Sequence, residues 1–178
     1  MSFNPADIGI PLFPVYTAAH PLSMGLALRP ASLGTASTAW GTANMAIYVP
    51  FTLTAPFTVA KLLAYNGTIT GGNTDIGIYS ETGTEILGIA AAAQAGTSVW
   101  QEFDVTDTTL APGLYYIGLL NTTTTGTYFA WNTIEYPRSG GVFSQAVGAA
   151  TLPSPTATFA KLTSFGVPLV GMSSRTLI

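Results

Sequence analysis

Few side chains in this 178-residue chain could perform nucleophilic or metal-dependent chemistry. His20 is the single histidine and precedes Pro21, and cysteine is absent. A zinc site of the usual kind needs several His or Cys ligands, and thiol catalysis needs a cysteine. No Gly-x-Ser-x-Gly elbow marks an activated serine. We therefore interpret His20 as an ordinary residue of an N-terminal arm and expect neither zinc nor serine-hydrolase chemistry.

The eight carboxylates leave one hydrolytic chemistry formally open. Two acids that flank a glycosidic bond are enough to hydrolyse it. Glu81 and Glu85 form one close pair in the sequence, and Asp104 and Asp107 form another. Both pairs fall at predicted turns or strand ends, so we interpret them as solvated surface charge. The glycine-rich segment 67–72 lacks the lysine of a phosphate-binding loop and is predicted to be a turn. We expect no catalytic residues, no metal site and no cofactor.

The composition is unusual for a protein that stays free in solution. Charged residues make up 7% of the chain and apolar residues 48%, whereas an ordinary soluble domain carries about 25% charged residues. Mixed surface charge normally keeps free monomers apart from one another. We therefore expect partner subunits to cover much of the exterior of this protein.

Other features argue against membrane insertion, export and direct binding of nucleic acid. A membrane-spanning helix needs about 20 continuous apolar residues, and the longest run here covers residues 86–93. Signal peptides open with positive charge, but the first cation of this chain is Arg29. The five Lys and Arg residues are scattered, whereas nucleic-acid binding depends on clustered cations that neutralise phosphates. We expect none of these three properties.

The pattern of residues 45–136 predicts an antiparallel β-sandwich. Apolar residues at every second position of Met45–Leu53 indicate a strand with one buried face. Pro50 cannot donate a hydrogen bond to a neighbouring strand, so this strand is expected to be an edge strand or to carry a bulge. Turn signals such as Asn66-Gly67 separate seven or eight short strands. Short strands with a turn signal about every 8–12 residues are typical of a sandwich.

Two proline-bearing segments, residues 1–44 and 137–178, flank this domain and are predicted to be extended arms. The first contains five prolines, each of which fixes φ and removes a donor, so a long helix is excluded. Apolar arms without a helical period are an aggregation hazard unless they dock on a neighbour. The residues predicted to make these contacts between subunits are Phe3, Ile8, Ile10, Leu12, Phe13, Tyr16, Phe159, Phe165, Val167, Leu169 and Val170.

Several short segments occur in an order that resembles a known type of domain. They are Ile47-Tyr48-Val49-Pro50-Phe51, Phe57-Thr58-Val59, Ile76-Gly77-Ile78-Tyr79-Ser80 with Gly83, Trp100, and Leu110-Ala111-Pro112-Gly113-Leu114-Tyr115-Tyr116. In this order they resemble the jelly-roll domain of tailed-phage virion proteins of the head-decoration, minor tail and fibre types. The resemblance covers residues 47–120, under half of the chain. It implies a scaffold and supplies no catalytic residues.

Together, the sequence and this resemblance predict a non-enzymatic structural protein of a phage particle. The expected fold is an all-β, antiparallel β-sandwich of jelly-roll type with extended N- and C-terminal arms. We expect a homo-oligomer, such as a trimer, that is made in the host cytoplasm and becomes part of the virion. Its other partners would be virion proteins such as the major capsid protein. Small size and paired arms favour a capsid decoration or cement protein.

A tail or fibre component that binds carbohydrate or a receptor is the alternative prediction. Sandwich domains of that class stack Trp and Tyr rings on pyranose rings. The residues that could form such a face here are Trp100, Tyr128 and Trp131. The competing interpretation places most of these rings in the core or at a subunit interface, so their exposure discriminates between the two functions.

Overall fold

The described part of the chain consists of β-strands and their connections. The computed structural model describes residues 35–131, 142–154, 157–162 and 166–174. These residues contain no helix, and hence no helix that could cross a membrane. Their strands are β1 (Thr35–Ala39), β2 (Met45–Leu53), β3 (Phe57–Tyr65), β4 (Asn73–Ser80), β5 (Glu85–Ala93), β6 (Trp100–Leu110), β7 (Gly113–Asn121), β8 (Thr127–Trp131), β9 (Phe143–Ala146), β10 (Ala160–Lys161), β11 (Val167–Pro168) and β12 (Val170–Ser173).

Six strands form three nested antiparallel pairs, which give the sandwich its jelly-roll-like order. β4 pairs with β5, β3 pairs with β6, and β2 pairs with β7. This nesting is what a long antiparallel ribbon produces when it is wound into two layers. β4 also pairs with β7, so one layer has the strand order β10-β9-β2-β7-β4-β5. The predicted all-β antiparallel sandwich is confirmed.

The second layer contains two three-stranded ladders, β1-β8-β11 and β12-β3-β6. The two ladders meet along residues 166–173, because β11 pairs with β8 and β12 pairs with β3. Leu169 bridges them, since its N–H donates to Phe129 O and its carbonyl accepts from Tyr65 N. The segment from 166 to 173 therefore fills the slot between β8 and β3, and all of its residues are buried.

The main core lies between the two layers and follows the alternation of the strands. Ile47, Val49, Phe51 and Leu53 of β2 all belong to this core and are at most 3% exposed. The predicted alternation is therefore present, but the prediction of a single buried face is wrong, because Ala46 and Tyr48 on the other face are also 0% exposed. The inward residues of β7 lie beside them, and Phe51 stacks on Tyr115 with the ring centroids 5.5 Å apart.

Pro50 lies in β2 at a position where the missing N–H does not remove a hydrogen bond between β2 and β9. β2 is an inner strand of the six-stranded layer, but β9 pairs only with its first four residues, up to Tyr48. Beyond Tyr48, β2 pairs with β7 alone, so Pro50 stands where the strand is locally an edge. This agrees with the physical expectation that proline is confined to edges and bulges.

The predicted start of the sandwich at residue 45 is wrong by one strand. β1, which the sequence analysis assigned to the N-terminal arm, pairs with β8 over all five of its residues. Trp40 then packs in the main core with 1% of its surface exposed. A short strand of small residues gives no alternation of apolar and polar side chains, so its pattern carried no strand signal.

The predicted C-terminal arm from residue 137 is likewise wrong for its described residues between 142 and 173. β9 extends the six-stranded layer beside β2, and β10 pairs with β9. β11 and β12 complete the second layer. These strands are two to four residues long, and β11 includes Pro168. Such short, proline-bearing strands resemble extended linkers in sequence, although here they belong to the domain.

Candidate functional site

One edge and one end of the sandwich expose a surface without charged side chains. It consists of residues 86–99, which form most of β5 and its connection to β6, and of the loops 67–72 and 122–126. None of these segments contains Asp, Glu, Lys or Arg, and we call them together the neutral surface. Of the four exposed large apolar side chains in the described residues, three belong to it: Ile69 at 57%, Val99 at 45% and Ile86 at 38%.

Main-chain hydrogen bonds hold the loops of the neutral surface together. Ser98 N donates to Gly67 O at 2.8 Å, which joins the β5–β6 connection to the first loop. Thr127 N, directly after the third loop, donates to Ile69 O at 2.9 Å. The two loops and the β5–β6 connection therefore form one unit at this end of the sandwich, whereas Ile86 lies near the other end of β5.

The buried amide of Gln94 fixes the same loops from below. This side chain is 7% exposed, and its Nε2 donates to Asn66 Oδ1 at 3.2 Å and to Thr127 O at 2.8 Å. Its Oε1 accepts from Gly71 N at 2.9 Å. Every polar atom of the amide thus has a partner, as a buried polar group requires. One side chain thereby links three segments that are distant in the sequence.

A second buried group, Asn121 and Tyr128, continues this network toward the core. Asn121 Nδ2 donates to Gly71 O and to the Tyr128 hydroxyl, each at 3.0 Å. The Tyr128 hydroxyl also shares a hydrogen bond of 2.6 Å with Thr74 Oγ1. Burial raises the pKa of Tyr128, although its bonds to Thr74 and Asn121 oppose that shift. Satisfied networks of this kind give loops a fixed conformation, so the neutral surface is preorganised.

The free edge of β5 is irregular, so it favours contacts through side chains over pairing with another strand. Among the described strands, β5 pairs only with β4, and its register shifts twice along that pairing. Ala91, in the second irregular region, has a φ of 55°. Bulges at sheet edges interrupt the row of free backbone groups and discourage edge-to-edge pairing. A partner would therefore meet exposed side chains such as Ile86, and it would also meet the partly exposed Glu85, whose carboxylate lies close to Gly88.

The charges of the described chain lie outside the neutral surface. Lys61 donates to Asp104 at 2.8 Å across β3 and β6, with the Asp104 side chain 80% exposed. Glu81 is exposed in the turn between β4 and β5, and Asp107 is exposed in β6. Within residues 35–131 and the described segments that follow, no three His, Cys, Asp or Glu side chains form a group that could hold a metal ion.

The predicted arm contacts have different outcomes. Phe3, Ile8, Ile10, Leu12, Phe13, Tyr16 and Phe165 lie outside the described residues. Val167, Leu169 and Val170 are 0% exposed in the main core, so the prediction that they contact a neighbouring subunit is wrong. Phe159 is partly buried and packs against the outer face of the six-stranded layer of the same chain.

The aromatic residues of the alternative prediction do not form one exposed row. Tyr128 is 1% exposed and belongs to the main core, so its predicted role in facing a glycan is wrong. Trp100 is partly buried and meets Tyr65 with ring centroids 5.0 Å apart. Trp131 lies in β8, but its side chain is outside what the structure describes. Tyr65, which the sequence analysis did not single out, also contacts Phe129 at 5.0 Å.

Comparisons with known proteins add no family to this description. The chain matches no protein-family model, no curated protein and no solved structure. The likeness to phage virion domains therefore remains a prediction from the sequence.

Sequence reasoning missed the neutral surface and the amide network beneath it. The uncharged stretch at residues 86–99 is visible in the sequence, but the sequence does not show that this stretch forms an exposed edge beside the loops 67–72 and 122–126. Gln94 and Asn121 are isolated polar residues in or beside turns, and no spacing connects them. Only the folded arrangement of the loops brings them together.

Replacing Gln94 by alanine should loosen the neutral surface. The substitution leaves Gly71 N and Asn66 Oδ1 without their partner and removes one of the two hydrogen bonds to Thr127 O, which keeps its bond from Gly67 N. We expect a loss of about 2–4 kcal/mol in the free energy of unfolding. Denaturant unfolding of the purified variant measures this loss. Thr124→Ala, at an exposed position in the third loop, is the matched control and should change stability by less than about 0.5 kcal/mol. Equal stabilities of the two variants would contradict the proposed role of Gln94.

Proposed function

We propose that this protein is a non-enzymatic structural subunit of a phage-type virion, with capsid decoration or cement as its favoured role. In this proposal it assembles with copies of itself, such as a trimer, and with virion proteins such as the major capsid protein. The neutral surface supplies the contact. Residues 1–34 keep their predicted role as an extended arm that docks on a neighbouring subunit. The described C-terminal strands instead pair within the chain's own sheets.

The observation that carries this proposal is that the neutral surface contains no charged side chains and that hydrogen bonds hold its loops in a fixed conformation. Ile69, Val99 and Ile86 project from it into solvent. Burying a charge against a partner is costly unless it is paired, and the neutral surface contains none. The loops beneath are already ordered by Gln94, so association would require little further loss of conformational entropy.

The chemistry of this surface also fits a permanent contact better than a transient one. Apolar burial contributes about 25 cal/mol per Å², and a specific, stable contact buries roughly 1,600 Å² in total. Long-lived interfaces are the more apolar ones, whereas steered and short-lived encounters rely on charge. A scaffold subunit that remains in place needs the first type of surface.

Placing a cation at each of two exposed apolar positions tests the proposal. We expect the full chain to form a discrete oligomer or larger assemblies, measured as a mass by light scattering over a range of concentrations. The double variant Ile69→Lys/Val99→Lys should raise the dissociation constant at least about 10-fold, because two charges would be desolvated on association.

Leu114→Lys is the matched control for that experiment. Leu114 is the remaining large apolar side chain of comparable exposure, at 38%, and lies in β7 outside the neutral surface. This variant should keep the mass of the unmodified protein. The proposal fails if the unmodified chain is a monomer at every concentration, or if the double variant assembles as well as the control.

A carbohydrate- or receptor-binding component of a tail or fibre is the second candidate function. The observation in its favour is the pair of partly buried rings of Trp100 and Tyr65, which lies beside the hydroxyl-rich loops. Tyr65 OH donates to Ser98 O, so this ring is fixed next to the neutral surface. Such a ring could stack on a sugar.

Binding to a glycan array separates this candidate from the scaffold. If it is correct, the full chain should retain defined neutral glycans, and Trp100→Ala should lose at least about 5-fold in affinity, because the loss of a stacked aromatic ring costs about 1 kcal/mol or more. Leu114→Lys again serves as a control that should bind normally. No glycan retention by the unmodified chain would remove this candidate.

A further inference from the structure

The outer face of the six-stranded layer carries a second apolar cluster, which a segment of the chain covers. Residues 147–154, here called the strap, cross this face after β9. Leu152 of the strap is 5% exposed and packs with Tyr48, Tyr79 and Tyr116 of the sheet. Phe159, further along the chain, lies 4.5 Å from Tyr116 between ring centroids. The strap thus separates an aromatic face from water.

Three hydrogen bonds hold the strap on the sheet. Val147 N donates to Asn44 O at 3.0 Å at its beginning. Leu152 N donates to Asp75 Oδ2 at 2.7 Å in its centre. The Tyr79 hydroxyl donates to Pro153 O at 2.8 Å. The middle bond is the unusual one, because its acceptor is a carboxylate beneath the strap.

Asp75 is buried, and no cation among the described residues neutralises it. It belongs to β4 and is 4% exposed, and no Lys or Arg of the described residues is within ion-pair distance of it. The strap contributes no ionisable side chain. The ionisable groups around Asp75 and its aromatic neighbours are therefore acidic or phenolic, namely Tyr48, Tyr79, Tyr116, Glu81 and Glu85.

We propose that the strap is a pH-sensitive cover, which opens as the Asp75 carboxyl loses its proton and thereby exposes the aromatic face beneath it. The geometry supplies both parts of such a device. A short segment is held at separate points, and its central anchor is a group whose charge depends on pH. This inference goes beyond the proposed role in assembly and does not depend on it.

The direction of the effect follows from the charged form of Asp75. Burial raises the pKa of Asp75 to about 6, helped by the charge of Glu85 and opposed by the hydrogen bonds from Leu152 N and Ile76 N. Opening of the strap exposes the carboxyl to water and returns its pKa toward the ordinary value of 3.8. The closed strap is therefore favoured at low pH, and this advantage is lost as the pH rises through about 6.

Hydrogen exchange of the Leu152 amide measures strap opening directly, because this N–H bonds to Asp75. The full chain would be compared by NMR between pH 4 and pH 8, with each rate expressed as a protection factor relative to free exchange. We expect protection at Leu152 to fall by up to about 100-fold over this range, since about two pKa units separate the closed and open strap. Protection of the Ile117 amide in β7 should remain higher at every pH.

Two variants test whether Asp75 causes the pH dependence of protection at the Leu152 amide. In Asp75→Asn the protection at Leu152 should not depend on pH, because the amide can still accept the hydrogen bond but does not ionise. Tyr79→Phe, which removes the bond to Pro153 O, should lower protection by a similar factor at every pH. A flat or rising profile in the unmodified protein would overturn the proposal, as would equal protection at Leu152 and Ile117. The unmodified protein alone therefore decides the outcome, whether or not the variants fold.

Discussion

The structure depends on the burial of residues 166–173 in the slot between β8 and β3. Without this segment, the second layer would separate into a β1–β8 pair and a β3–β6 pair, because Leu169 bridges the two ladders. An unfilled slot would leave the backbone groups of β3 unpaired next to the core, and unpaired buried backbone groups are strongly disfavoured. The segment also contributes Val167, Val170 and Met172 to the main core.

Filling that slot has consequences for the other layer. To reach it from β8, the chain first forms β9 at the edge of β2 and then crosses the outer face of the six-stranded layer as the strap. Residues 147–154 therefore help to cover the aromatic cluster around Tyr48, and residues 166–173 complete the second layer. The side of the molecule at β5 takes no part in this arrangement. Its uncharged residues stay available to a partner, which is why we place the contact there.

The regular part of this fold was predictable, because it follows from alternation and turn chemistry. The alternation of Met45–Leu53 places Ile47, Val49, Phe51 and Leu53 in the main core. Gly83, with a φ of 84°, lies in the turn between β4 and β5. The short strands were not predictable, since β11 and β12 pair with β8 and β3 through contacts that are distant in the sequence.

In the candidate site, too, features that depend on local sequence were predictable, whereas features that depend on tertiary contacts were not. The absence of charge in residues 86–99 is a property of composition and can be seen in the sequence. The burial of Tyr128 could not be seen, because an aromatic residue in a short strand can face either side. Gln94 forms hydrogen bonds with Thr127 and Gly71 because the loops pack against each other. The spacing of these residues in the sequence does not indicate those bonds. Tertiary contacts decide such positions.

The central claim is that the C-terminal segment belongs to the core of this domain. Its buried Val167, Leu169, Val170 and Met172 contribute roughly 1.5–3 kcal/mol each. That total is comparable with the whole stability of a typical domain, about 5–15 kcal/mol. The most direct test is thermal unfolding, followed by near-ultraviolet circular dichroism, of a chain that ends at residue 165. We predict that this chain loses the cooperative transition of the full protein, whereas an unchanged transition temperature would show that the segment is a dispensable arm.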